Sequence, residues 1–154
     1  MPAAAFRTFT PPGSLCQLDA NARPPMDTQT QRKLELLFEL LALPPQRVVP
    51  RMRIALAPCV LMTEADTHGV TLVLALIHRV ERAQRWLPLL MQTCAPEWSF
   101  GIPVRACVAQ GRPMLIASPP ASANFQAVEW LSCVTRMRRL LERIDAQQQR
   151  ETRP

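Results

Sequence analysis

The chain has 154 residues, a length that fits one domain. Hydrophobic residues make up 48% of it, which supports a buried core and excludes a wholly disordered chain. The net charge of +6 is carried almost entirely by arginine, since Lys33 is the only lysine. With 5% aromatics and no tyrosine, platforms for stacking bases or sugars are scarce, and the positive charge fits a soluble surface, an acidic partner or RNA.

The five cysteines, Cys16, Cys59, Cys94, Cys107 and Cys133, form no C-x-x-C pair, and neither His68 nor His78 is spaced with them as a zinc ligand. An odd count and an apolar-poor start at residues 1–15 predict free thiols in a reducing cytosol and no secretory signal. The longest apolar run, VTLVLALI at 70–77, is too short to span a bilayer.

Residues 1–25 hold Pro2, Pro11, Pro12, Pro24 and Pro25 and show no period, so a flexible tail is expected there, with Met26 an alternative start. A domain is expected over 26–147, followed by a polar end at 148–154. The first helix is predicted over 27–43, with Thr28 and Gln31 as a capping box. Leu34, Leu37, Phe38 and Leu41 share one face, and Leu36, Leu40 and Leu43 broaden it. Pro44 and Pro45 are expected to stop this helix.

Three strands are expected next. RMRIALA at 51–57 alternates apolar and basic residues, and CVLMTE at 59–64 follows Pro58. After a turn in which Gly69 takes a conformation closed to other residues, 70–77 is apolar on both faces and expected at the sheet centre. A second helix is predicted at 87–94, with Pro88 in its first turn and Pro96 ending it. IPVRACVAQ then places Ile102, Val104, Ala106 and Val108 on one face and Arg105 and Cys107 on the other. Residues 110–113 read as the turn of a hairpin, and MLIA returns. A third helix is expected from about Ser122, a candidate N-cap, with Trp130, Val134, Met137, Leu141 and Ile144 as its apolar stripe. The predicted fold is α+β in the order α-βββ-α-ββ-α, a twisted, mostly antiparallel sheet flanked by helices.

No phosphate-binding glycine loop, zinc-protease or nucleophile-elbow motif occurs. His68 with Glu64 and Asp66 reads as a solvated turn, His78 as a strand-end residue, and Cys94 and Cys107 as small apolar residues without a histidine to activate them. An enzyme is therefore not expected, and no catalytic, metal or cofactor residue is assigned. Arg136, Arg138, Arg139 and Arg143 flank the third helix's stripe and offer an alternative reading, a basic nucleic-acid-binding or regulatory module. Glu142 and Asp145 dilute that charge.

From LPLLMQTCAPEW through GIPVRACVAQGRPMLIASPP to FQAVEWLSCVTRMRRLLERI, with RKLELLFELLALP as opening helix, the chain resembles the class I type III secretion chaperones of the Tir-chaperone (CesT-like) family. The resemblance covers about residues 27–145. It implies a homodimer in the bacterial cytoplasm that holds the N-terminal segment of an effector in extended form, soluble and ready for export, without ATP. Apolar grooves on the first helix and the sheet would accept client side chains, and a free strand edge could add a client strand. On that reading Leu34, Leu36, Leu37, Phe38, Leu40 and Leu41 contact the client, Leu89, Leu90 and Val104 lie near the dimer axis, and the secretion ATPase is a further possible partner. The chain departs from the family in being basic, and in its proline-rich first 25 residues.

Overall fold

The computed structural model describes residues 26–121 and 125–154. The expected tail at 1–25 and the Ser122 cap lie outside the described residues. Helix α1 spans Thr28–Leu40, strands β1 Arg51–Leu56, β2 Cys59–Ala65 and β3 Val70–Leu76 follow, then helix α2 Leu87–Met91, strands β4 Val104–Ala109 and β5 Arg112–Ala117, and helix α3 Ala127–Thr152. The architecture is α+β. Its five strands run in the order β1-β2-β3-β5-β4, every neighbouring pair antiparallel, so β3, apolar on both faces apart from Thr71, sits in the middle.

Local chemistry sets the element ends. Asp27, rather than Thr28, caps α1: its carboxylate accepts from the amides of Gln29 at 3.1 Å and Thr30 at 3.2 Å. The helix also stops before the prolines. Ala42 turns left-handed at φ +56°, the Ala42 amide donates to the Glu39 carbonyl at 2.9 Å and the Leu43 amide to the Phe38 carbonyl at 3.0 Å. That is a Schellman motif with alanine in the place usually held by glycine. The hairpin turn is shorter than expected: only Gln110 and Gly111 connect β4 to β5, at φ +53° and +72°, the pair of positive values of a type I′ turn. Pro113 lies inside β5, one residue beyond its ladder with β3, where its missing amide removes no bond from that ladder. Helix α3 starts at Ala127, and its entry is held by the Gln126 amide donating to Glu129 at 2.9 Å. It continues through the polar residues up to Thr152.

The core lies between the sheet and the helices. The rows Ile54–Leu61–Leu74–Leu115 and Leu56–Cys59–Leu76 put their side chains on one face of the sheet, and the α3 stripe Trp130, Val134, Met137, Leu141 and Ile144 packs there with Leu34, Leu37 and Phe38 of α1. Trp86 and Leu90, from the α2 region, belong to the same cluster. Each large side chain so buried contributes about 1.5–3 kcal/mol, which is why the short α2, with no side-chain cap at its start, persists here.

The opposite face of the sheet has no helix on it among the described residues. Strand alternation places Met62, Val73, Met114 and Ile116 there, and none of them joins the core cluster. The expected α+β fold, an antiparallel sheet flanked by helices, is borne out, with the helices gathered on one face of the sheet.

Candidate functional site

The first helix divides its leucines between two environments. Leu34 and Leu37 are wholly buried and Phe38 nearly so, Leu41 is half-buried, and Leu36 and Leu40 stand 44% and 42% exposed. The helical period explains the split. Residues 34, 37, 38 and 41 point at α3, while 36 and 40, one turn apart, share the outward side. A contact made by this helix with another molecule therefore falls on Leu36 and Leu40. Next to it, Phe38, Leu43, Pro44 and Pro45 line a depression of about 360 Å³ edged by Glu35 and Glu39.

The residues expected near a two-fold axis are similarly divided. Leu90 and Val104 are committed to the core, at 0% and 5% exposure, whereas Leu89 is half-buried and its neighbour Met91 is 59% exposed. The α2 region is tied down by its own polar groups: the Thr93 hydroxyl donates to the Leu90 carbonyl at 2.7 Å and the Ser99 hydroxyl to that of Ile102. The periodicity of so short a helix does not separate Leu89 from Leu90, so sequence reasoning had no signal for Met91.

The bare sheet face was missed as a unit, because its residues are spread over five strands. One row across it reads Arg53–Met62–Val73–Ile116–Arg105, with an arginine on each edge strand. The next reads Ala55–Val60–Ala75–Met114–Cys107. Two open depressions, of about 400 Å³ and about 290 Å³, share Arg53 and Met62 and so form one surface. At one end Arg51 pairs with Glu64 at 3.3 Å.

His68 and His78 are exposed; the Asp66 carboxylate is spent on the amides of its own turn, at 2.7 Å to His68 and 3.1 Å to Gly69. Burial, and then the Glu142 carboxylate, push the Cys59 thiol up to about 12, and burial pushes that of Cys133 up to about 11, so both are neutral and unreactive. No group of three or more His, Cys, Asp or Glu that could hold a metal occurs among the described residues, and none of their helices is long and apolar enough to cross a membrane. The α3 arginines are partly engaged inside the molecule. Arg136 donates to the Trp98 carbonyl at 2.6 Å and stacks on Phe100 at 4.2 Å, and Arg138 donates to the Ala57 carbonyl at 2.9 Å while pairing with Glu142. A phosphate backbone would have to compete with those bonds.

Among solved structures, a chain of the heterodimeric ExoU–SpcU complex from the type III secretion system of Pseudomonas aeruginosa is similar at 19% identity, over 71% of this chain and 93% of that chain, with a TM-score of 0.49. No curated protein matches the sequence. The SsaM family profile matches residues 27–144, the span that holds every strand and helix described above except the last two turns of α3. The chain belongs to the SsaM family, a type III secretion chaperone-like family.

Proposed function

We propose that this protein is a type III secretion chaperone of the class I kind, similar to the Tir-chaperone (CesT-like) proteins, and not an enzyme. It works in the bacterial cytoplasm as a homodimer. It holds the N-terminal segment of an effector extended on its surface and keeps it soluble and export-competent, and it presents the complex to the secretion ATPase. Family membership over residues 27–144 is the observation that carries this reading. The outward pair Leu36 and Leu40 supports the part played by α1, because large apolar side chains in water gain free energy when a client's apolar residues cover them.

The test is affinity capture from bacteria that are secreting, with mass spectrometry of bound proteins, followed by pull-down of the captured effector with and without its N-terminal segment. An effector that binds through that segment is the expected result. Leu36→Glu should then weaken capture by tenfold or more, since an apolar contact would have to bury a charge at a cost of about 2 kcal/mol or more. Circular dichroism serves as the folding control. If no secreted protein is captured, or if removing its N-terminal segment changes nothing, the reading is wrong.

A further inference from the structure

The bare sheet face has a chemical bias that a general apolar groove lacks, and it bears on what kind of client segment the protein selects. Its floor is aliphatic and thioether, with Met62, Val73, Met114 and Ile116 only half covered. Its borders are cationic: Arg53 on one edge strand, Arg105 on the other, and Arg112 beside Met114. None of these three arginines has a carboxylate partner among the described residues. Arg112 stands out further, because its Nε is buried and has no hydrogen-bond partner there. The residue as a whole is only half-buried, so a carboxylate arriving on this face can reach the outer N–H groups of its guanidinium.

The dimensions select the shape of the occupant. Arg53 and Arg105 sit in one row, four strand spacings apart, or roughly 19 Å at about 4.8 Å per spacing. A helix with its side chains is about 10–12 Å across. Laid on the floor, it leaves room on each side for a glutamate to extend to an arginine. A second copy of this chain fits poorly, since a symmetric contact would set arginine against arginine, and the acid on this face, Glu64, is already paired with Arg51. Nucleic acid fits poorly too, because the floor has no ring on which a base could stack.

We infer that the open face of the sheet binds an amphipathic helical segment of a partner, apolar toward Met62, Val73 and Ile116 and carrying carboxylates along both flanks, with Arg53, Arg105 and Arg112 as the residues that select it. This rests on the chaperone reading only for calling that partner a client; the surface and its charge are independent of it. The positive charge of the chain then acts in recognition, and the clients of this chaperone are distinguished by an acid-flanked helix that adjoins the segment held extended.

The probe is a fluorescent peptide of about 18 residues, long enough for a helix of about 27 Å, with leucines at helical spacing and glutamates on both flanks. Two further versions carry glutamine or lysine on the flanks. Anisotropy should show the glutamate peptide binding about tenfold or more tighter than the glutamine one at low salt, with the gap closing as salt rises. The Arg53→Glu/Arg112→Glu variant should lose the glutamate peptide and gain the lysine one, a rescue that misfolding does not produce. Val128→Glu, on the exposed side of α3, should leave peptide binding unchanged. Equal affinity for glutamate and glutamine peptides overturns the inference. So does a wild-type dimer that the Arg53→Glu/Arg112→Glu change splits, which gives the face to a second copy. Phosphatidylserine vesicles that bind the protein through these arginines while the peptide does not bind would also overturn it. A protein that captures an effector through α1 but ignores flank charge keeps its chaperone role and loses this one. Charge-dependent peptide binding without effector capture does the reverse.

Discussion

Ala42 ends the first helix in a conformation that alanine disfavours. Its Cβ meets the following carbonyl at φ +56°, a strain of about 1–2 kcal/mol that glycine would not have. The Schellman bonds it supports are made by the backbone and would survive the change. Ala42→Gly should therefore raise stability by about 0.5–1 kcal/mol, net of the greater entropy of glycine in the unfolded chain, and urea melts read it directly. The absence of glycine here is also why the sequence points to Pro44 as the helix end: the usual stop signal is missing, and the prolines are the next one along. The thiols offer a second measurement. Cys59 and Cys133, buried and pushed up to about 12 and about 11, hold their protons in the fold, while the unfolded chain releases them near the ordinary value of 9.0. Their contribution is complete below about pH 9 and is lost as pH rises toward 11–12, because there the unfolded state binds fewer protons than the native one. The melting temperature should fall between about pH 9 and about pH 12, and less steeply in a Cys59→Ala/Cys133→Ala variant. In iodoacetamide mapping of the native protein the exposed Cys94 should be labelled while Cys59 and Cys133 stay protected.

Among the elements, α3 was the most legible, and its length and stripe explain why. Trp130, Val134, Met137, Leu141 and Ile144 repeat at spacings of three and four over several turns, and no strand pattern mimics that. Leu141 is wholly buried in that stripe, so Leu141→Ala should cost about 2–5 kcal/mol in denaturant melts. Leu36→Glu, on the exposed side of α1, should stay within about 0.5 kcal/mol of wild type. The contrast between the two separates core from free surface. The α1 pattern was harder to divide from sequence, since six leucines or phenylalanine between 34 and 41 leave two overlapping faces, and only packing against α3 chooses between them. The hairpin turn was misjudged by two residues because proline reads as a turn residue, whereas Pro113 sits in the strand just past the β3 ladder.

At the scale of the molecule, strand order and identity follow from alternation and turns, but the placement of helices does not. Strand β3 carries apolar residues on both faces, as a strand covered on both would; α1, α2 and α3 all pack on one. That single fact hid the open face from sequence reasoning. Self-association is the remaining question at this scale. Sedimentation at micromolar concentration should show a species twice the 17.3 kDa chain mass, and Met91→Glu, beside half-buried Leu89, should shift it toward monomer by adding like charges at a two-fold contact. A wild-type protein that stays monomeric throughout that range would remove the dimer from the reading.

The arginine borders of the open face have a colloidal consequence as well. An uncovered sheet of methionine, valine and isoleucine is a surface on which copies of the same molecule can stick, and charges along its margin act as gatekeepers that keep them apart. Repulsion of this kind reaches about 10 Å at 0.1 M salt and only about 3 Å at 1 M, while the attraction between apolar faces does not weaken with it. Unaccompanied by a partner, this basic protein should thus be best dispersed in dilute buffer and should cluster as salt is added, a trend that static light scattering would follow and that an occupied face would abolish.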